Sequence, residues 1–311
     1  MNTTKREIAP WQLRSRTLEL GRRTLVMGIV NITPDSFSDG GRFFNPEAAV
    51  THAMELLDEG ADLLDLGAES TRPGSRAGGA TGTALAPAVS AEEEQARLLP
   101  VLEGILRERP HAVVSVDTYK AATARAALAA GAEIINDVSG FLWDPEMAAA
   151  CSQASAGRNP GVVLMHTQGR PEEWRTQPSL VPDAVLAEVR AGLAASLAAA
   201  AAAGVPAEAI VLDPGYGFGK RFDENYALLA GQAELLALGR PLLVGVSRKS
   251  FLGRTLSPLH GGGDAPSNER EAASIAALVA AILHGASIVR VHAVRPAVEA
   301  ALIADAVLAA G

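Results

Sequence analysis

The chain has 311 residues, a formal net charge of −8, 48% hydrophobic residues and one cysteine. That content supplies a large core. The acidic balance, with no basic stripe, argues against nucleic acid as a partner. The single Cys151 excludes an internal disulfide; it is expected as a small buried apolar side chain, and scarce cysteine fits a reducing cytoplasm.

The first ten residues carry charges and lack the apolar core of a secretory signal. Residues 1–20 are read as a loosely packed extension and 21–311 as one domain. Short apolar runs then alternate with longer helical patterns. The runs lie at 25–30, 63–67, 113–116, 133–136, 161–165, 210–212, 242–246 and 287–291, and a helical segment follows each. Most are rich in Val, Ile and Leu without alternation, as in parallel strands covered on both faces. Eight such units predict a single (β/α)8 TIM barrel. An open doubly wound sheet is the other arrangement, but the first strand lacks the glycine-rich phosphate turn of that fold.

Helix signals support the same division. Asn45 precedes Pro46, an N-cap followed by proline at the first helical position. Ser90 stands three residues before Glu93, the spacing of a capping box, and Asp223 is a candidate cap for a helix from Glu224. Gly60, Gly131, Gly204 and Gly285 fall where a helix should stop. Residues 74–88 and 260–267 read as mobile loops. The Ala-rich run 194–203 continues a charged, helix-periodic segment, so a soluble helix is expected and no membrane span. The apolar faces of 272–284 and 297–309 would permit a homodimer, although they must also cover the barrel.

In a barrel of this kind the chemistry gathers at the C-terminal ends of the strands. Those ends carry Asn31, the run Glu69-Ser70-Thr71-Arg72-Pro73, Asp117, Asn136 with Asp137, His166, Asp213, Ser247-Arg248-Lys249, and Arg290 with His292. Each has a plainer reading. An Asp after a strand often caps the next helix, a lone His is more often structural, and an Arg is often a surface charge. Capping alone would not select Asn, Lys, Arg and His together. Arg72, Arg290 and His292, with hydroxyls from Ser70 and Thr71, can surround a diphosphate. Asn31 offers a neutral oxygen that suits a Mg²⁺ shell made mostly of phosphate and water. Asp117, Asn136 and Asp213 offer planar acceptors and donors suited to a flat amino-pyrimidinone edge, with Lys249 as a cation deep in the site. No zinc or iron ligand spacing is present.

These residues occur in MGIVNITPDSFSDGG at 27–41, ESTRPG at 69–74, SVDT at 115–118, INDVSG at 135–140, LDPGYGFG at 212–219, GVSRKS at 245–250 and RVH at 290–292. In that order they resemble the dihydropteroate synthase family of pterin-binding barrels, from about residue 24 to the C-terminus. The resemblance implies a transferase of folate biosynthesis. A hydroxymethyl-dihydropterin diphosphate loses pyrophosphate to the amine of 4-aminobenzoate. By that similarity Asn31 would hold Mg²⁺. Thr71, Arg72, Arg290 and His292 would bind phosphate oxygens. Asp117, Asn136, Asp213 and Lys249 would hold the pterin. Phe37, Pro73, Phe218 and Ser250 would frame the aminobenzoate, where sulfonamides would compete. Asp39 would help close the site. Asp39, Thr71, Arg72, Asp213 and Lys249 are the residues expected to carry the reaction. The family also implies a cytoplasmic homodimer.

Two departures stand out. Ala293 follows His292 where the family usually has Asp, which is expected to alter how Arg290 or His292 is oriented. Residues 76–87 look like an insertion in the second loop. Two other functions share part of the pattern. A methyltetrahydrofolate:corrinoid methyltransferase-like protein would not need the STRPG loop or the R-x-H pair. A non-catalytic paralogue has only the two departures in its favour.

Overall fold

A computed structural model describes residues 4, 6–32, 45–69, 89–152, 158–174 and 176–310. In chain order its strands and α-helices are β1 (Ala9–Gln12), β2 (Thr17–Leu20), β3 (Leu25–Asn31), α1 (Pro46–Asp58), β4 (Leu63–Gly67), α2 (Ala91–Glu108), β5 (Val114–Asp117), α3 (Ala121–Ala129), β6 (Ile134–Asp137), α4 (Met147–Ser152), β7 (Gly161–Met165), α5 (Pro182–Ala202), β8 (Ile210–Asp213), α6 (Phe222–Gly231), β9 (Leu242–Val244), α7 (Ser250–Thr255), α8 (Glu271–Leu283), β10 (Ala286–Val291) and α9 (Val294–Ala310). Strands β3 to β10 form a closed parallel barrel, with β10 pairing both β9 and β3. The eight apolar runs of the sequence are these eight strands. The run at 242–246 is shorter than expected, because the chain turns after Val244.

Local signals explain where the elements begin and end. The Asn45 side chain accepts the N–H groups of Glu47 and Ala48, and Ser90 Oγ accepts that of Glu93 at 3.2 Å. The expected stops at Gly60, Gly131, Gly204 and Gly285 all have positive φ. Asp223 does not cap α6. The helix starts one residue before it, and the Glu224 carboxylate accepts the Arg221 N–H at 2.6 Å and the Leu180 N–H at 2.8 Å. Cys151 is buried in α4, as expected. Helix α5 is long and apolar enough to cross a membrane by length and composition. It packs here against β7 and α6.

Side chains alternate along each strand, so every second residue enters the lumen. The lower lumen is apolar: Met27, Leu63, Ile134, Val163, Val211, Leu243 and Ile288 form one buried cluster. The same cluster includes Trp11, Leu13 and Leu20. These come from the β1–β2 hairpin, which is antiparallel and seals the N-terminal end of the barrel. The Trp11 indole N–H donates to the Ala209 carbonyl at 2.8 Å. Gly161 starts β7 directly under this hairpin; a Cβ there would lie 2.4 Å from Leu13 Cδ2. The expectation of a loose extension over residues 1–20 is therefore corrected for 9–20. An open barrel end would leave this apolar layer in water, and the hairpin removes it. Arg6 adds an anchor, donating to Thr24 Oγ1 and pairing with Asp305 of α9 at 2.6 Å.

The expected loose loop at 260–267 is also corrected. Ala265 is buried, its N–H donates to the Gly253 carbonyl at 3.0 Å, and Arg270 Nε donates to the Ala265 carbonyl at 2.7 Å. The other expected loop, 74–88, lies outside the described residues.

Candidate active site

One step above the apolar lumen layer the same strands turn polar. Asp65 lies two residues beyond Leu63, Asn136 two beyond Ile134, Asp213 two beyond Val211 and Arg290 two beyond Ile288. Two residues advance a strand by about 6.6 Å. The change from core to site is that short.

Arg290 is the centre of this layer. Its Nε donates to Asp65 Oδ2 at 2.6 Å and its terminal nitrogen donates to Asp117 Oδ2 at 3.0 Å. Asp65 is fully buried, and its Oδ2 also accepts Asn136 Nδ2 at 3.0 Å. Strands β4, β5, β6 and β10 are thus tied across the lumen by one hydrogen-bonded cluster. Burial pushes Asp117 up to about 7, against the pull of the Arg290 guanidinium. Burial also raises Asp213, against the Gly215 N–H and the positive charges of Lys249, Arg290 and Lys220.

The structure therefore brings Asp117, Asn136, Asp213 and Arg290 to one lumen mouth. Arg290 and His292 take different surroundings: the Arg290 guanidinium points into the lumen and joins Asp65 and Asp117. A side chain on the lumen face of β10 reaches across the barrel, whereas His292 has already left the strand. The His292 imidazole instead pairs with Ser247 Oγ at 3.0 Å, and the same hydroxyl accepts the His292 N–H at 3.3 Å.

The loop after β8 makes the next wall. Gly215 has φ +70°, and a Cβ there would sit 1.8 Å from the His166 carbonyl oxygen, so the close approach requires glycine. Asp213 Oδ1 accepts the Gly215 N–H at 2.7 Å. Buried Lys220 closes the loop, its Nζ donating to the carbonyls of Gly215 at 2.8 Å and of His166 and Phe218 at 3.3 Å. Burial holds Lys220 down to about 7. Lys249 Nζ lies 3.9 Å from the centre of the Phe218 ring, a cation–π contact, and Phe218 packs edge-on against Trp174. Ser250 is exposed at the first position of α7.

His166 takes the plain reading. Its ring is buried against Gly192 of α5, outside the lumen, and burial lowers its pKa to about 2. It is a neutral core side chain.

The sequence reading missed several participants. Asp65 was passed over because it sits inside β4 rather than at its end. Lys220 was passed over because it lies just beyond the motif at 212–219. Ser247 was given no role, and its link to His292 joins residues 45 apart. Val138 and Met165 form a buried apolar cluster with Tyr119, against which Phe218 and Trp143 pack. Just after β4, Glu69 accepts Tyr119 OH at 3.1 Å and pairs with Lys120, which also reaches buried Glu94 at 3.2 Å. A cavity of about 350 Å³ lies beside the mouth, lined by Ser90, Tyr119, Lys120, Trp143 and Arg170.

Asn31 ends β3 half-buried at the rim. Among the described residues no group of three or more His, Cys, Asp and Glu has the arrangement of a metal site. A neutral amide oxygen without a carboxylate cage suits a Mg²⁺ that keeps substrate phosphates and waters as its other ligands. Phe37, Asp39, Thr71, Arg72 and Pro73 lie outside the described residues.

The model of the pterin binding enzyme family matches residues 27–292. This chain belongs to the pterin binding enzymes. Bacillus subtilis dihydropteroate synthase is 41% identical to it over 294 residues, covering 94% of this chain and 92% of that protein. The structure of Xanthomonas albilineans dihydropteroate synthase with 4-aminobenzoic acid superposes with a TM-score of 0.81 at 41% identity. It covers 97% of this chain and 99% of the other. Burkholderia cenocepacia dihydropteroate synthase complexed with 7,8-dihydropteroate gives a TM-score of 0.77 at 42% identity, over 97% and 98% of the two chains. Ala293 stands immediately before Val294, the first residue of α9. An Asp there would be a helix N-cap, so the departure bears on the helix as well as on the neighbouring His292.

Proposed function

We propose that this pterin binding enzyme is a dihydropteroate synthase. It condenses 6-hydroxymethyl-7,8-dihydropterin diphosphate with 4-aminobenzoate to give 7,8-dihydropteroate and pyrophosphate. The observation that carries this reading is the convergence of Asp117, Asn136, Asp213 and Arg290 at one lumen mouth, with Lys249 and Phe218 on its wall. That set suits a flat heterocycle rich in N–H donors. The Xanthomonas and Burkholderia relatives are described with 4-aminobenzoic acid and 7,8-dihydropteroate.

In this reading Asp117, Asn136 and Asp213 accept the ring N–H groups, and the Arg290 guanidinium lies beneath them. Lys249 adds positive charge between the heterocycle and the aminobenzoate, which Phe218 and Ser250 help to frame with Phe37 and Pro73. By the resemblance, His292, oriented by Ser247, would bind the diphosphate with Arg290, Thr71 and Arg72. Asn31 would hold Mg²⁺, whose charge would make the diphosphate a better leaving group. The bond from the exocyclic methylene carbon to oxygen breaks and its electron pair leaves on pyrophosphate. The amine lone pair forms the new C–N bond, and the amine proton passes to water. Asp213 offsets positive charge developing on the dihydropterin. An aromatic amine is neutral at pH 7, so no strong base is needed. By the resemblance, Asp39 with Thr71 and Arg72 would keep water from the reacting carbon. We infer a cytoplasmic homodimer from the family resemblance and the scarce cysteine, and the exposed Leu302, Ile303 and Val307 of α9 leave an apolar face that a second copy would cover.

Purified protein with Mg²⁺ and both substrates should release pyrophosphate and form dihydropteroate. Absence of product above background would overturn the reading. Sulfonamides should compete with 4-aminobenzoate; purely non-competitive inhibition would refute the placement of Phe218 and Ser250.

A further inference from the structure

We propose that Asp65 is a positioning residue that fixes the amide orientation of Asn136, so that Asn136 presents its carbonyl oxygen to the bound heterocycle. This rests on the reading of the lumen mouth as a pterin site. Asn136 has one acceptor and one two-hydrogen donor at the end of a freely turning bond. Either could face a ligand, and nothing in β6 itself decides between them. Asp65 decides it. A carboxylate accepts and does not donate, and Asp65 Oδ2 takes the Asn136 nitrogen at 3.0 Å. The amide nitrogen and oxygen point apart, so the oxygen is turned away from Asp65.

Asp65 is itself held. Its Oδ2 also receives Arg290 Nε at 2.6 Å, and Arg290 reaches Asp117 at 3.0 Å. Asp65 is completely buried on β4, in register with Ser115 of β5, below the rim and out of reach of solvent. It therefore sets two neighbours at once. Asn136 becomes an acceptor, and the Arg290 fork is aimed so that one arm pairs with Asp117. The mouth is left with acceptors from Asp117, Asn136 and Asp213 converging on one ligand edge. The site favours a heterocycle whose edge carries several N–H donors, as the 2-amino, N3–H and N8–H groups of a dihydropterin do.

The test compares wild type with Asp65→Asn, a change of shape by almost nothing. Isothermal titration with 6-hydroxymethyl-7,8-dihydropterin diphosphate and steady-state kinetics are the readouts. Asp65→Asn should weaken pterin binding by about tenfold or more, the size of one misdirected buried hydrogen bond. The KM for 4-aminobenzoate should stay within about twofold on the same argument. A merely structural Asp65 would lower the melting temperature and the active fraction while leaving both KM values unchanged, and that result overturns the proposal. If Asp65→Asn does not fold, Asn136→Asp decides. Two carboxylates then face each other and one must take a proton, so pterin binding should tighten as pH falls from 8 to 5 relative to wild type, in which only Asp117 takes up a proton near pH 7. Wild-type affinity at pH 8, or no pH dependence, overturns the proposal. A wild-type protein that does not bind the pterin refutes the assigned function instead, so the two failures are separable.

Discussion

The two ends of the barrel use the same strands for opposite purposes. At the N-terminal end Met27, Leu63, Ile134, Val163, Val211, Leu243 and Ile288 meet Trp11, Leu13 and Leu20 in a dry cluster. Two residues further along, Asp65, Asn136, Asp213 and Arg290 form a charged layer with buried, competing demands. The lower layer gains free energy from burial. The upper layer costs desolvation, which its internal pairs offset only in part, as the raised Asp117 and Asp213 and the lowered Lys220 show. The apolar end stabilises the fold, and the polar end is held in a state that a bound ligand would complete.

If that division is right, changes at the two ends should separate stability from binding. Trp11→Ala, at the sealed end, should cost about 3–5 kcal/mol of folding free energy. The pterin and aminobenzoate KM values of the surviving folded protein should be unaltered. Chemical denaturation and kinetics on the same preparation check this, and a changed KM would break the comparison. Asp213→Ala, at the open end, should do the reverse. Pterin affinity by calorimetry should drop about a hundredfold, equivalent to about 3 kcal/mol. The melting temperature should hold or rise, because a desolvated carboxylate is removed.

Lys220 sharpens the contrast, since it is buried yet belongs to the polar end. Its folded pKa is held down to about 7 from 10.5. Between those values the unfolded chain binds more protons than the folded one. Its share of stability is therefore present above pH 10.5 and lost as pH falls through about 7. The melting temperature of wild type relative to Lys220→Met should rise from pH 7 to 10; a flat difference would contradict the burial of that charge. The smallest effect concerns the helix beside the last strand. Ala293→Asp should stabilise α9 by about 1 kcal/mol as a new N-cap. A shift in the midpoint of urea denaturation measures it.

Much of this was legible in the sequence. The eight apolar runs mark the eight barrel strands, because a parallel strand covered on both faces needs a continuous run of Val, Ile and Leu. The caps at Asn45 and Ser90 were legible because capping is decided within four residues. Asp117, Asn136, Asp213 and Arg290 stood out as polar ends on apolar strands. The hairpin carried a signal too, in the alternation of Trp11 with Leu13 and Leu18 with Leu20, but what it would cover was not visible. That Arg290 pairs with Asp65 and Asp117 was not legible, because its neighbours in the chain are not its neighbours across the lumen.

The sequence by itself determined the barrel, its strand order and which end would carry polar groups. Those depend on local periodicity and on the short connections that force right-handed crossovers. Only the tertiary structure decided that residues 9–20 close the barrel, that His166 faces away from the site, that Lys220 holds the loop after β8, and that Asp65 joins Arg290 to Asn136. Each of these is a contact between residues from separate strands or loops. Its energy comes from burial and hydrogen bonding between groups that meet only after the barrel has closed.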